Sequence, residues 1–471
     1  MNKKIITLLI LVGLFMTALT ASAQVAFDWP YKTVDGTIVT QVPERPAGQQ
    51  PALGLTAPKL KVVRVGFVGL GMRGPDAVRR FTHINGTQVM ALCDHERERA
   101  DTCNAILRAA SMPPADIYYG EDGYKKLCER KDIDLVYIAT DWLHHFVVAK
   151  YAMEHGKHVA IEVPSAMNLR EIWSLIDLSE KTRLHCMMLE NCCYGKEEMT
   201  ILNMIKKGVF GELVHCEGGY RHDLRDEVSL GNENRHYRLR NYKNRCGELY
   251  PTHELGPIAK YLDINRGNRM VMLTAMASKS VGLNTWINKN RGADFENANY
   301  HFAEGDVVTT CIKCAHGETI VLTHDTTLPR PYSRGNMVQG TKGIWFEDTH
   351  GVLIDGTVDG PSWEHRYTNL DNYYGEYLHP LWRGYEAVGG HGGMDYLVMR
   401  GFVEAVLNQT QTPIDVYDTA AWMAITPLSE NSIACGSMPV AIPDFTNGKW
   451  IRREDFVRSK YCLEDVCEEQ F

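Results

Sequence analysis

At 471 residues, 44% apolar and 23% charged, the chain has the composition of a globular protein and the length for two domains with sizeable cores. A formal net charge of -8, with no long Lys/Arg run, argues against a phosphate-backbone partner, so nucleic acid is not an expected ligand. The 13 cysteines are odd in number and lack the dense, regular spacing of a disulfide scaffold. Cys311 and Cys314 form a lone C-x-x-C in an expected strand with no second pair beside it, so buried thiols are expected and no metal site.

Residues 1–23 place Lys3 and Lys4 before an apolar run from Ile5 to Leu19, followed by Ala21-Ser22-Ala23. That order predicts a cleaved signal peptide and a periplasmic or secreted protein. The run is shorter than the roughly 20 residues of a spanning helix, and no later stretch has the character of a membrane span. Residues 24–60 carry Pro30, Pro43, Pro46, Pro51 and Pro58 with little apolar periodicity, which predicts an extended arm wrapping a domain or a neighbouring subunit.

Residues 61–190 read as a Rossmann domain. A buried strand from Lys61 runs into Gly69-Leu-Gly-Met-Arg-Gly74, and a helix follows from Asp76 to Phe81. In this G-x-G-x-x-G, Gly69 permits the tight turn, Gly71 lets the backbone approach a pyrophosphate, and Gly74 allows helix and strand to pack closely. A second strand, Gln88 to Cys93, ends at Asp94, where a carboxylate takes the adenosine ribose hydroxyls and repels a 2′-phosphate; NAD is therefore expected over NADP. Parallel strands at Asp134–Ala139 and His158–Glu162 carry Trp142-Leu143-His144-His145 and Glu162-Val163-Pro164 at their C-terminal ends, where ligands sit in such sheets. His144 and His145 read equally well as the start of a helix.

Residues 191–471 read as an α+β domain with an open, largely antiparallel sheet, giving an α/β protein overall. Strands are expected at Glu212–Tyr220, Met270–Ala277, Val307–Cys314, Thr319–Thr326 and Asn336–Phe346, joined by turns with little helix between. One sheet face would cover the cofactor cleft and the other would pack in a homo-oligomer. A helix is expected from Asp395 to about Leu407, after the flexible His391-Gly392-Gly393.

Gly69-Leu-Gly-Met-Arg-Gly74, Trp142-Leu-His-His145, Glu162-Val-Pro164, Tyr250-Pro-Thr-His253 and Pro331-Tyr332 together resemble glycoside hydrolase family 109, within the glucose-fructose oxidoreductase/inositol dehydrogenase superfamily. The resemblance spans nearly the whole mature chain and implies an NAD-dependent α-N-acetylgalactosaminidase. It implies NAD contacts from Met72, Arg73, Asp94, Trp142 to His145, Glu162, Val163 and Asn191. It implies substrate contacts from Tyr220, Arg238, Tyr250 and Tyr332, with His253 beside the nicotinamide. The sequence departs from the expected patterns in three places. Val163 stands where many dehydrogenases of the superfamily carry lysine, which argues against a plain inositol-type enzyme; Glu254 replaces a usual glycine, and Tyr237 a common tryptophan.

A fixed nicotinamide can oxidise a sugar hydroxyl to a ketone, which acidifies the neighbouring C–H and makes elimination of the glycosidic oxygen feasible; water addition and reduction then complete hydrolysis without net redox change. The expected base for the C3 hydroxyl is His253, because imidazole exchanges protons near neutrality. Tyr250 is the first choice for a tyrosine at the reacting ring and Tyr194 the second, although a phenol needs strong pKa depression to act as a base. Tyr220 and Arg238 suit gripping sugar hydroxyls or an acetamido group. An NAD-dependent sugar oxidoreductase releasing keto-sugar, and a non-catalytic NAD-containing sugar-binding protein, remain open.

Overall fold

The computed structural model describes residues 27–231, 236–357, 366–452 and 455–471. The expected signal peptide lies outside the described residues, among which no helix is long and apolar enough to cross a membrane. The proline-rich arm is more structured than its composition predicts. β1 (Tyr31–Val34) and β2 (Thr37–Thr40) form a hairpin turning at Asp35-Gly36, both at positive φ, as a two-residue type I′ turn requires. The chain then runs along the first domain, with Arg45 Nε 2.8 Å from Glu180 Oε2.

Strand and helix alternate from β3 (Val63–Val68) through α1 (Gly74–Phe81), β4 (Thr87–Asp94), α2 (Arg97–Ala109), β5 (Asp116–Tyr119), α3 (Gly123–Cys128), β6 (Leu135–Ile138), α4 (His144–Glu154), β7 (His158–Ile161) and α5 (Leu169–Thr182) to β8 (Cys186–Met188). The six strands are parallel in the order β5-β4-β3-β6-β7-β8, the doubly wound arrangement. β6 and β7 are buried at every position, which is why their sequences run apolar rather than alternating.

The second half builds an 11-stranded sheet that also takes in the β1–β2 hairpin. After α6 (Lys196–Lys206) come β9 (Leu213–Arg221), then three helices: α7 (Arg225–Ser229), α8 (His236–Asn244) and α9 (Thr252–Tyr261). β10 (Met270–Ala277), α10 (Gly282–Asn290), β11 (Val307–Cys314) and β12 (Thr319–Asp325) follow. The expectation of little helix between strands is thus corrected, because α7 to α9 form the wall that faces the first domain. The single strand expected over Asn336–Phe346 is two, β13 (Met337–Gly340) and β14 (Gly343–Phe346), folded at Thr341-Lys342. The sheet is mostly antiparallel, with β9 parallel to β12. Cys311 is exposed on β11, against the expectation of buried thiols, and Cys314 is buried on the opposite face.

α11 (Met394–Asn408) starts within a residue of its expected position but packs back on β3, with Leu60 N–H donating to Val406 C=O at 3.3 Å. Residues 394–408, grouped by sequence with the second domain, thus reach back to β3 while also packing on the turn at Asn191–Tyr194. α12 (Val416–Met423) lies against α5 and β8, and α13 (Ile425–Ala434) against β10, so one continuous apolar core links the two sheets.

Candidate active site

The glycine-rich turn after β3 is shaped by close backbone approach. Gly69 sits at φ +92°, and a Cβ there would lie 2.5 Å from the Ala139 carbonyl group. A Cβ on Gly74 would stand 2.3 Å from Gly69 O, while one on Gly71 would meet nothing nearer than the Arg99 guanidinium at 3.4 Å. The Gly71 backbone is thus open to a pyrophosphate at the first turn of α1. Asp94 Oδ2 accepts the Leu70 N–H at 2.6 Å, and Oδ1 lies 3.1 Å from Glu96 N and 3.4 Å from Arg99 Nη1. The carboxylate therefore braces the turn. Met72 is exposed beside it.

Arg73 reaches inward, with Nη2 3.0 Å from Asp395 Oδ2 and Nε 3.8 Å from Glu162 Oε2. The Tyr137 hydroxyl donates to Glu162 Oε1, fixing the carboxylate at the end of β7. Asp395, in the first turn of α11, also accepts from Asn191 Nδ2 at 2.6 Å and pairs with His391 Nδ1 at 3.0 Å and Arg80 Nη1 at 3.3 Å. Burial alone would raise the Asp395 carboxyl, but His391, Arg73 and Arg80 hold it well below the usual carboxylate range. His391 both shapes the positive-φ turn before α11 and contributes to this cluster.

His253, in the first turn of α9, places Nδ1 2.8 Å from Glu190 Oε1. Glu190 is fully buried and also accepts the Cys192 N–H at 3.0 Å. Burial opposes its charge, yet the facing His253 and these hydrogen bonds hold its carboxyl below the usual range. An ionised Glu190 makes Nδ1 the protonated nitrogen and leaves Nε2 as the acceptor, the arrangement of an oriented general base. Glu190, Cys192 and His253 bring their donor atoms within 4.8 Å of one another, but Arg334 Nη1 lies 3.0 Å from Cys192 Sγ and sets a positive charge against any cation there.

The aromatic residues complete the cleft. Trp142 stacks on Tyr250 at 5.7 Å between centroids, and the His253 ring stands edge-on to Tyr250 and Tyr220 at 5.0 and 5.7 Å. Arg238 lies over four rings, nearest Tyr250 at 5.2 Å and Trp142 at 5.3 Å, with Nε 2.9 Å from Glu227 Oε1 and Nη2 3.5 Å from the Tyr220 hydroxyl. Burial, with Tyr220 alongside, pushes the Tyr250 phenol well above its usual range despite Arg238. The phenol therefore keeps its proton at neutral pH. Tyr332 stands on the outer rim, 51% exposed, its ring 5.0 Å from His222.

Other expected residues serve this wall from behind. Leu143 is exposed, and His144 Nδ1 pairs with Asp141 Oδ2 at 2.8 Å. Burial lowers the His145 imidazole, so the ring is neutral and its Nδ1–H donates to Pro164 C=O at 2.6 Å, holding the Glu162-Val163-Pro164 segment. Val163 packs against both apolar clusters. Tyr194 is not brought into the cleft: it is fully buried, its hydroxyl donates to Tyr461 C=O at 2.6 Å, and burial pushes its phenol up. Tyr194, expected as a second catalytic tyrosine, instead holds the C-terminal segment.

Glu190, Asp395 and Glu227 were not singled out in the sequence. Glu190 lies just past β8, and the strand-end rule that marked Glu162 also reaches it; the i, i+4 spacing of His391 and Asp395 is the corresponding signal for the second.

Known proteins share this architecture. Residues 63–190 match the oxidoreductase family with an NAD-binding Rossmann fold, and residues 194–452 match the glycosyl hydrolase 109 C-terminal domain. Glycosyl hydrolase family 109 protein 4 of Phocaeicola vulgatus is 47% identical over 439 residues, covering 88% of this chain and 84% of that one. The chain belongs to glycoside hydrolase family 109. A family 109 protein of Bacteroides fragilis is also 47% identical, over 88% of this chain and 91% of its own. Levoglucosan dehydrogenase, solved with NADH and levoglucosan, shares the fold at a TM-score of 0.63 and 16% identity, covering 81% of this chain and all of that one. NAD is the cofactor of the first domain of this family 109 chain. The departure at Glu254 adds a carboxyl that is fully buried one residue after His253, where burial and the neighbouring Glu248 push it well above its usual range.

Proposed function

We propose that this chain is an exported α-N-acetylgalactosaminidase that removes terminal residues by oxidation, elimination, water addition and reduction, with no net redox change. The observation that carries the reading is the Glu190–His253 pair, buried at the end of the Rossmann sheet and edge-on to Tyr250 and Tyr220. NAD supplies the reversible oxidation of one sugar carbon. The Gly69, Gly71 and Gly74 turn, with Met72, Arg73, Asp94, Glu162 and Asn191, would hold it.

In this reading His253 Nε2 takes the proton of the C3 hydroxyl, and Glu190 stabilises the imidazolium that forms. Tyr250, kept protonated by burial, donates to the departing glycosidic oxygen. Arg238 and Tyr220 grip hydroxyl or acetamido oxygens; four ring faces and Glu227 fix the guanidinium before substrate arrives, which reduces the ordering needed on binding. Trp142 and Val163 line the wall as apolar surfaces, and no lysine stands at residue 163 to assist release of a keto-sugar.

A panel of chromogenic α- and β-N-acetylhexosaminides, assayed with and without added NAD, tests this. Release from the α-N-acetylgalactosaminide without accumulating NADH is expected. Stoichiometric NADH would instead make the chain a sugar oxidoreductase.

A further inference from the structure

Cys462 and Cys467 bring their sulfurs to 3.0 Å in the C-terminal segment, and both are buried. We infer that Cys462 and Cys467 form an intrachain disulfide that clamps this segment under the active-site helix α9. The inference does not depend on the glycosidase reading.

The segment between the two cysteines is held by buried charge. Glu464 Oε1 lies 2.9 Å from Arg266 Nε and 3.4 Å from Lys260 Nζ, and Lys260 in turn lies 2.7 Å from Asp418 Oδ2. Lys260 belongs to α9, about two turns beyond His253. On the other side of Cys462, Tyr461 C=O accepts the Tyr194 hydroxyl at 2.6 Å, at the end of the short turn that carries Asn191 and Cys192. The residues flanking and enclosed by the pair therefore hold both the helix of His253 and the turn beside Glu190. A covalent bridge of five-residue separation fixes that segment without crossing any other element.

The sulfurs need to approach by about 1 Å to reach bonding distance. The hydrogen bond from Cys462 also holds the Cys467 thiol below its usual range, which favours the attacking thiolate. The oxidant is an exchangeable disulfide, R–S–S–R. Cys467 thiolate attacks one of its sulfurs and expels one R–S⁻; Cys462 then attacks the mixed disulfide and expels the second. Two protein thiols are oxidised to one disulfide, the reagent is reduced to two thiols, and two protons pass to them.

The purified enzyme is equilibrated with oxidised glutathione, denatured in N-ethylmaleimide and peptide-mapped. A Cys462–Cys467-linked peptide, two hydrogens lighter than its reduced form, is expected, with the remaining cysteines carrying the label. Reduction of the native enzyme should then lower Tm by about 2 °C, the scale of a short loop closure in a chain of this size. Alkylation of both Cys462 and Cys467, or only glutathione adducts on either, would overturn the inference. The map is read on the unmutated chain, so it does not depend on whether Cys462→Ser folds.

Discussion

Arg73 Nη2 lies 3.0 Å from Asp395 Oδ2, joining residues 322 positions apart. The contact ties the glycine-rich turn to the first turn of α11, so the cofactor loop and the returning helix are one electrostatic unit. Asp395→Ala leaves Arg73 and the fully buried Arg80 without their shared carboxylate. Loss of about 3–5 kcal/mol at pH 7 is expected, the scale for removing one member of a buried ion pair, together with weaker NAD binding. Because the folded-state carboxyl is held below its usual value of 3.8, its stabilisation is present above that pH and lost as pH falls through the lower folded value. Urea unfolding should show the gap between the two proteins closing below about pH 4.

Asp94 carries two duties that one substitution can separate. Asp94→Asn keeps an oxygen for the Leu70 N–H and so preserves the turn, but removes the charge that repels a 2′-phosphate and frees Arg99 beside it. Fluorescence titration should show weaker NAD binding, by about tenfold, and improved NADP binding. Unchanged discrimination would contradict the ribose assignment.

Glu254 is a carboxyl whose folded pKa lies above its usual 4.5, so it takes up a proton on folding and costs stability as pH rises through and above 4.5. Glu254→Gln should therefore be neutral at low pH and stabilising at pH 8, measured by denaturant unfolding at both pH values. A destabilised variant at pH 8 would mean that the ionised carboxylate is needed.

Glu190→Gln tests the orientation of His253 without emptying the cleft. It removes the charge facing Nδ1 and should lower kcat by at least about a hundredfold, as should His253→Ala, while both retain NAD through the first-domain contacts. A fall in NAD content in either variant, visible in the absorbance of the purified protein, would show that the pair shapes the cofactor site instead.

The Rossmann half was legible because its signals are local: glycine spacing, apolar runs and a carboxylate at a strand end. β5 and β8 were missed because they are the sheet's edges: β5 is exposed or half-buried at all four positions and so lacks the apolar run of the four-residue β6 and β7, and β8 is only three residues long. The Asp35-Gly36 hairpin had a direct turn signal that the surrounding prolines obscured. The Asn336–Phe346 segment reads as one strand because its turn, Thr341-Lys342, interrupts it for only two residues. Individual site residues were legible as types at strand ends and at the start of α9. Their partnerships were not: Glu190 meets His253 across 63 positions, and Arg73 meets Asp395 only once α11 has returned to β3. Tyr194 misled because a tyrosine next to a cofactor-contact segment looks available until its hydroxyl is found bonded to Tyr461.

The central claim is that oxidation and C2 deprotonation precede departure of the aglycone. α-N-acetylgalactosaminide deuterated at C2, hydrolysed in ordinary water and analysed by mass spectrometry, tests it most directly. Loss of the label to solvent in the released sugar is predicted, because the C2 proton leaves before water adds. Complete retention of deuterium in an active enzyme, the outcome of a two-carboxylate displacement, would contradict the account.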